Sequence, residues 1–359
     1  MLGSLVAVST LFSWVIASPA VSPREASSSS TANADTPYEG YAFIYFKNND
    51  ERLYLALGNG NNALSFTEVN GGEPVLTSTL GDKGLRDPYI IRSKEGDQFH
   101  ILATDLCVGC GTSWYDSSRF GSRHIEIWDT PDLITFSEQQ HVLVSPESYG
   151  MSWAPEAYYD AALDTYVTHW SSAIYNDTEN PNREQSEYIR VVYATTDDFK
   201  SFGEPKIWED YPPEGRIDVS VFRDSDDTYY RFTKATVDGC ADFVQESSSD
   251  LTAKQEDWTF ITSCIGRNLG TDDLEGPIIF KAKPGDVNGD VYFLLGDMII
   301  DAATNKGQVP MTSTELSSGN WTLKDTNSYP FHPRHGVVTP VTASELEALW
   351  NAWDKTQDS

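Results

Sequence analysis

The sequence predicts an all-β, five-bladed β-propeller that is closed when the C-terminal strand joins the N-terminal blade, with a short C-terminal helix. Three observations favour this fold. Short aromatic and β-branched runs recur along the chain, separated by polar turns such as KNNDE and PGDVNGD. A small motif, in which a polar pair precedes an apolar and then an aromatic residue, returns five times. A series of residues at the starts of strands recurs about every 60 residues, which is the length of a four-stranded blade.

The candidate elements follow in chain order. The strand-like runs are 41–46, 52–58, 88–92, 99–105, 124–130, 165–172, 188–196, 219–224, 228–235, 277–282 and 291–297. The five copies of the small motif are 59–66, 130–136, 196–202, 249–260 and 313–321. One helical pattern stands near the C-terminus, where Thr342 or Ser344 could cap a helix. Its apolar face would carry Leu346, Leu349, Trp350 and Trp353.

The residues that mark the unit starts are regularly spaced. They are Asp87 in LRDPYIIR, Pro155 in SWAPEAYY, Asp218 in RIDVSVF, Glu275 in LEGPIIF and His335 in PRHGVV, at successive separations of 68, 63, 57 and 60 residues. The three N-terminal strands lack an opening strand, and the strand at 335–341 lacks followers. Joined, they make one blade and close the ring, so that no long strand edge is left exposed.

Composition narrows the class of protein. The chain has 359 residues and a net charge of −29, with 54 acidic against 25 basic side chains, and 12% of it is aromatic. That aromatic content is too high for a disordered acidic tail. An acidic surface repels phosphate backbones, so nucleic acid is not an expected partner. The charge is spread along the chain and indicates a hydrated surface.

The N-terminal residues predict export. Residues 1–18 are uncharged and mostly apolar, which is typical of a signal peptide, although a buried N-terminal helix is the alternative. Residues 19–36 indicate a flexible lead-in rich in Ser and Ala. We therefore expect a secreted, extracellular protein whose residues 37–359 form a single propeller domain with its C-terminal helix. No later stretch is apolar enough to suggest a membrane helix.

Export also changes the interpretation of the four cysteines. In an oxidising compartment they predict two disulfides, Cys240 with Cys264 and the local pair Cys107 with Cys110. A four-cysteine zinc site is the alternative, but the second pair lacks the CxxC spacing. Two Asn-x-Thr sequons, at Asn176 and Asn320, are candidate glycosylation sites.

The first strand of each blade lines the central channel of a propeller, so residues at its start converge near the axis. We expect Asp87, Trp153, Asp218, Glu275 and His335 to meet there, the three carboxylates at one phase of the repeat. Hydrolysis of a glycoside needs an acid for the leaving oxygen and a base or nucleophile for the anomeric carbon. A third carboxylate would keep the acid protonated by like-charge repulsion. The alternative is a set of polar side chains that only bind water.

The ordered motifs RDPYI, WAP, IDVSVF, EGP and RHG resemble those of glycoside hydrolase family 43, whose members are five-bladed propellers, over roughly residues 37–345. The resemblance implies an inverting mechanism without a required cofactor. It implies that Asp87 is the general base, Asp218 the modulator of the acid's pKa and Glu275 the general acid. Val219 departs from the proline that usually follows the middle aspartate, and Asp105 is a competing base candidate.

Other residues near these motifs have expected roles. Trp153 is expected to line the sugar pocket, or else to pack between blades. His335 matches a histidine under the active site in this family, where some members hold calcium or another ion, and its alternative is a structural hydrogen bond. Arg334 could pair with substrate or with a carboxylate. His169 and Trp170 are expected to pack between blades.

The resemblance makes a secreted, exo-acting α-L-arabinofuranosidase on plant arabinan or arabinoxylan the leading hypothesis, with a monomer expected. β-Xylosidase, endo-arabinanase and exo-galactanase are alternatives within the family. Many of its xylosidases carry a β-sandwich after the propeller, whereas this sequence ends soon after its last strand. The long loops 109–122 and 172–187 would then close the pocket. A carbohydrate-binding propeller without catalysis is the alternative of another class.

Overall fold

The computed structural model describes residues 37–176, 179–298 and 306–354. These residues form twenty β-strands in five four-stranded sheets, one for each blade of a β-propeller. The predicted all-β propeller fold is therefore confirmed. The predicted signal peptide and lead-in, residues 1–18 and 19–36, lie outside the described residues.

Each blade is an antiparallel sheet. The first blade contains β1 (Tyr38–Lys47), β2 (Asp50–Gly58) and β3 (Phe66–Glu68). The second contains β4 (Arg86–Arg92), β5 (Phe99–Thr104), β6 (His124–Thr130) and β7 (Gln140–Leu143). The third contains β8 (Trp153–Asp160), β9 (Thr165–Ala173), β10 (Ile189–Thr196) and β11 (Lys206–Glu209). The fourth contains β12 (Arg216–Arg223), β13 (Tyr229–Val237), β14 (Cys240–Ser248) and β15 (Thr259–Ser263). The fifth contains β16 (Leu274–Lys281), β17 (Tyr292–Met298), β18 (Gly307–Ser313) and β19 (Thr322–Leu323).

The last strand, β20 (Gly336–Thr342), closes the ring. It pairs with β1 in the order β20-β1-β2-β3, in a register that runs from Tyr38 opposite Thr342 to Tyr45 opposite Gly336. The first blade is thus made from both ends of the described chain, as the repeat phase predicted.

The C-terminal helix is α3 (Ala343–Trp353). Its N-cap is Thr342 rather than Ser344, because the Thr342 side chain accepts from the Glu345 amide while the Glu345 carboxylate accepts from the Thr342 amide. Leu349 is buried on the predicted apolar face, and Leu346, Trp350 and Trp353 pack beside it against the first two blades. The sequence did not predict two short helices, α1 (Trp114–Phe120) and α2 (Ile265–Asn268).

Aromatic and aliphatic side chains fill the space between blades. Trp170 is fully buried against Leu102 and Ile125 of the preceding blade. Its neighbour His169 points to the other side of the sheet, where its ring lies 5.1 Å from that of Trp208. Burial and the charge of Arg231 in the next blade lower the pKa of His169 to about 3. The predicted interblade position holds for both residues.

Both predicted disulfides are present, Cys107–Cys110 and Cys240–Cys264. Asn176 and Asn320 are both exposed, and glycosylation at either stays a prediction. Within the described residues, none of the helices has the length and apolar character needed to cross a membrane.

Candidate active site

A β-bulge at the start of the first strand shapes each of four blades. The pairing register shifts after Arg86, Trp153, Ile217 and Glu275. The next residue in each case has a left-handed backbone, with φ of 47° at Asp87, 48° at Ala154, 54° at Asp218 and 56° at Gly276. Aspartate and glycine tolerate this conformation better than most residues. The bulge turns the side chains at the strand start toward the axis.

The bulge corrects one part of the predicted alignment. Asp87 and Asp218 occupy the left-handed position, but Glu275 lies one residue earlier, because Gly276 holds that position in its blade. The three carboxylates therefore do not share one phase of the repeat. A β-carbon added to Gly276 would lie 2.7 Å from Cβ and Cγ of His335. Glycine at this position thus lets His335 reach the axis.

The strand starts surround one cavity of about 90 Å³. Its wall contains all six of the residues that the sequence assigned to catalysis or substrate binding, together with four that it did not. The lining residues are Asp87, Trp153, Asp218, Glu275, Arg334 and His335, joined by Arg86, Leu106, Trp114 and Ile217.

Asp87 is held in an electropositive position. Its Oδ2 accepts a hydrogen bond of 2.9 Å from Thr104 Oγ1, and its Oδ1 lies 3.6 Å from His335 Nδ1. Burial would raise the pKa of the Asp87 carboxyl. The positive charges of His335 and Arg86 outweigh burial and hold that pKa below its ordinary value. Asp87 is therefore ionised at neutral pH.

His335 links Asp87 to a second buried acid. Its Nε2 lies 3.6 Å from Oε1 of Glu156, which is buried in β8. Burial would lower the pKa of His335, but Asp87 and Glu156 raise it well above its ordinary value. Burial raises the pKa of Glu156 to about 7, against the opposing effect of His335. The protonated imidazole thus sits between two acidic groups beneath the cavity.

Asp218 has the opposite electrostatic setting from Asp87. Its Oδ2 accepts a 3.1 Å hydrogen bond from the Gly276 amide, and its own amide donates to Ser171 Oγ. Burial, followed by the negative charges of Asp87 and Glu275, raises the pKa of Asp218 to about 7, although His335 opposes this. Two carboxyls on the wall of one cavity therefore differ in protonation near pH 6.

Arg334 fixes the third carboxyl. Its Nη2 donates a 3.0 Å hydrogen bond to Oε1 of Glu275, and its Nε donates to Oδ2 of the fully buried Asp297. Burial raises the pKa of Asp297 to about 6, although the positive charge of Arg334 lowers it. The backbone amide of Arg334 donates to the Phe46 carbonyl on β1. The predicted pairing of Arg334 with a carboxylate is present.

An aromatic wall completes the cavity. The indoles of Trp153 and Trp114 meet edge to face, with 5.7 Å between ring centroids. Arg86 lies between two rings, 4.5 Å from the centroid of Phe46 and 5.0 Å from that of Trp114. Its Nη1 donates a 3.0 Å hydrogen bond to the buried Glu51. Flat apolar faces and fixed charges thus share the wall, which suits binding of a sugar.

The sequence analysis did not identify several residues in or beside the cavity, although a sequence feature marked each of them. Arg86 directly precedes Asp87, and Glu156 follows the WAP motif. Trp114 belongs to the loop 109–122, whose length marked it as functional. The described part of the second loop, 172–176 and 179–187, contributes no lining residue to the cavity. It supports the first loop, since the Glu184 carbonyl accepts from the Tyr115 hydroxyl. Asp297 is marked only by ending the apolar run VYFLLGD.

The alternative base, Asp105, lies elsewhere. It is buried outside the cavity lining, with its Oδ1 accepting from the Asp82 amide. Together with Glu126 and His141 it forms the set of metal-ligand-type side chains found in the described chain, with ligand atoms all within 4.8 Å of one another. His335 is not part of this set, and the predicted ion at His335 stays a prediction.

Comparison with known proteins also indicates a glycoside hydrolase. Residues 36–347 match the family-43-related glycosyl hydrolase model, described as a probable glycosyl hydrolase domain. An α-L-arabinofuranosidase of Bifidobacterium longum subsp. longum is 32% identical over 324 residues, covering 82% of this chain and 30% of that protein. The chain thus spans about 30% of the length of this curated relative.

Two solved structures are similar to the chain at low identity. The Penicillium chrysogenum α-L-arabinanase complexed with arabinobiose has 14% identity and a TM-score of 0.48, with coverage of 80% of this chain and 83% of that one. The α-L-arabinofuranosidase from Lactobacillus brevis has 13% identity and a TM-score of 0.47, with coverage of 70% and 74%. The family match over most of the described propeller shows that the chain belongs to the glycosidases related to glycoside hydrolase family 43.

Proposed function

We propose that this chain is a secreted, exo-acting α-L-arabinofuranosidase that hydrolyses its substrate with inversion at the anomeric carbon. One observation carries the proposal. Asp87, Asp218 and Glu275 line the same small cavity, and their surroundings give Asp87 and Asp218 opposite pKa shifts. The arabinofuranosidase relative supports the choice of sugar. Family membership supports the absence of a required cofactor.

Asp87 has the properties of a general base. It is ionised, Thr104 donates a hydrogen bond to its Oδ2, and the charged His335 lies 3.6 Å from its Oδ1. Thr104 is itself positioned, because its hydroxyl accepts a 2.7 Å hydrogen bond from the Ala154 amide of the next blade. A water molecule beside Asp87 would lose its proton to this carboxylate as its oxygen attacks the anomeric carbon.

Glu275 has the position of a general acid. It lines the cavity but keeps 43% of its side chain exposed, so it can reach a leaving oxygen at the mouth. A general acid must carry a proton when it reacts. Asp218 lines the same cavity, and the charge of Glu275 is one of the causes, after burial and the charge of Asp87, that raise the pKa of Asp218 to about 7. Asp218 therefore interacts electrostatically with Glu275, as expected of the group that modulates the pKa of the acid.

The size of the cavity favours exo action. At about 90 Å³ it is well below the roughly 300–1,000 Å³ of clefts that enclose drug-sized ligands. A cavity of this size is expected to take one sugar unit, packed against Trp153 and Trp114, which supports exo action over the endo-arabinanase alternative. The two disulfides are consistent with an oxidising compartment and support the proposed secretion.

A panel of nitrophenyl glycosides tests the proposal. We expect hydrolysis of the α-L-arabinofuranoside, with the β-D-xyloside and β-D-galactoside turned over at least about tenfold more slowly, a difference of about 1.4 kcal/mol in transition-state binding. NMR of the first-formed product is expected to show the β-anomer. A preference for xyloside or galactoside would replace arabinose as the substrate. Activity on none of the three, combined with tight oligosaccharide binding, would establish the non-catalytic alternative.

The pH profile follows from the raised pKa of Asp218. We expect kcat/KM on arabinotetraose, whose leaving group needs an acid, to fall as pH rises through about 7, because Asp218, the carboxyl that modulates the proposed acid, then loses its proton. On the acidic side, activity should fall only below the ordinary aspartate range, because the pKa of Asp87 is lowered. In Asp218→Asn the alkaline limb should move to lower pH while the acidic limb stays. An unchanged alkaline limb in this variant would contradict the modulating role of Asp218.

A further inference from the structure

Helix α1 joins the catalytic cavity to a second cavity. Trp114, its first residue, lines the catalytic cavity, and Phe120, its last, lines a cavity of about 380 Å³. Six residue steps of an α-helix span about 9 Å. The second cavity is thus only a short distance along the surface from the first, and α1 forms the surface between them.

This helix displays an unusual share of exposed aromatic surface. Trp114, Tyr115 and Phe120 are 51%, 53% and 57% exposed. Among the described residues, the fourth large aromatic side chain that is more than half exposed is Phe260, on β15 of another blade. Apolar rings scattered singly need no explanation, but a cluster at the mouth of a cavity indicates a binding surface.

The rings are held in place rather than loosely displayed. The Arg119 guanidinium lies 3.6 Å from the centroid of Tyr115 and 5.2 Å from that of Phe120. Arg183 lies 5.4 Å from the Phe120 centroid and donates to the carbonyls of Arg119 and Glu147. A preorganised surface loses less entropy when a ligand binds.

The catalytic cavity is too small to hold a whole oligosaccharide, so most of a longer substrate must bind elsewhere on the surface. If it takes one terminal sugar, the remaining units must lie outside, past the exposed side of Glu275 and Trp114. Sugars present flat C–H faces that pack on aromatic rings, and hydroxyls that hydrogen-bond to charged groups. The second cavity supplies both, with Phe120 and Tyr149 beside Arg123 and Glu147.

We propose that α1 is a binding platform for the pentose chain that extends from the catalytic cavity, and that the second cavity holds a unit farther along this chain. The inference rests on the proposed function and adds where the chain beyond the terminal sugar would lie, which is along α1 and into the second cavity. The shared ligand chemistry is a neutral pentose chain, whether its units are arabinose or xylose.

The kinetic test compares long and short substrates in Phe120→Ala. We expect KM for arabinotetraose to rise about 3- to 10-fold, the range of one aromatic contact, with kcat/KM for nitrophenyl arabinofuranoside unchanged. Phe120→Tyr, which keeps the flat face, should behave as wild type. Phe260→Ala removes an equally exposed ring from another blade and should alter neither substrate. An arabinose-substituted xylo-oligosaccharide in a second arm distinguishes the two chain types.

The binding test separates this inference from the proposed function. Calorimetry with arabinotetraose, and with the xylo-oligosaccharide, on Glu275→Gln should show a 3- to 10-fold weaker Kd once Phe120→Ala is added. This loss supports the platform even if no glycoside of the panel is hydrolysed, in which case the proposed function alone fails. Equal KM and Kd values in Phe120→Ala and Phe260→Ala would overturn the platform, as would an equal loss on the nitrophenyl substrate.

Discussion

Glu275→Gln is expected to lower kcat on arabinotetraose by about 10²- to 10⁴-fold, the usual contribution of a general acid. Glutamine has nearly the shape of glutamate, and its side-chain oxygen can still accept from Arg334 Nη2. It carries no proton that it can give to the leaving oxygen. The alkoxide of a sugar hydroxyl is a poor leaving group, so this substrate depends fully on the lost proton.

The leaving group provides the diagnostic measurement. Nitrophenolate leaves with little help from an acid, so the loss of kcat in Glu275→Gln should be much smaller on nitrophenyl arabinofuranoside than on arabinotetraose. Glu347→Gln, an exposed glutamate on α3, is the matched control and should leave both rates unchanged. Equal losses on the two substrates, or none, would remove Glu275 from the acid's role.

Asp87→Asn is expected to lower kcat by a comparable 10²- to 10⁴-fold, but on both substrates alike. Every substrate needs an activated water, so the quality of the leaving group does not compensate for a missing base. Asparagine can still accept from Thr104, and it removes the negative charge beside His335. Initial rates on nitrophenyl arabinofuranoside and arabinotetraose give the comparison.

Azide offers a second readout for this variant. As an anion it needs no base, so it should restore turnover of nitrophenyl arabinofuranoside in Asp87→Asn and give the glycosyl azide of inverted configuration. Asp290→Asn, an exposed aspartate paired with Lys281, is the control and should keep wild-type rates. A loss confined to arabinotetraose would assign Asp87 the acid's role instead, and a retained configuration would exclude the single-displacement mechanism.

Much of the fold could be predicted because the same sequence features, strand-like runs and marked strand starts, recur from blade to blade. The spacing of the strand starts placed the closing strand beside β1, and the Thr342–Glu345 capping box marked α3. Helices α1 and α2 have seven and four residues, too short to show an apolar period of 3.6 residues. They could be identified only from the structure.

The candidate site was predictable where chemistry and repeat phase coincided. Asp87 and Asp218 stand at equivalent positions, whereas Glu275 is one residue away from them because its blade has glycine at the bulge. Sequence spacing of about 60 residues cannot resolve a shift of one. The supporting acids Glu156 and Asp297 lie inside apolar strand runs, and their role depends on contacts with His335 and Arg334 across blades.

The closing strand also determines when the enzyme becomes competent during its synthesis. Arg334 and His335 directly precede β20 (Gly336–Thr342), which is added to a blade that begins far earlier in the chain, at Tyr38 of β1. A nascent chain that has completed only the second to fifth blades already holds Asp87, Asp218 and Glu275. It still lacks His335, which helps to lower the pKa of Asp87, and Arg334, which donates to Glu275. If these carboxyls act as proposed, catalytic competence is a late event that is coupled to ring closure.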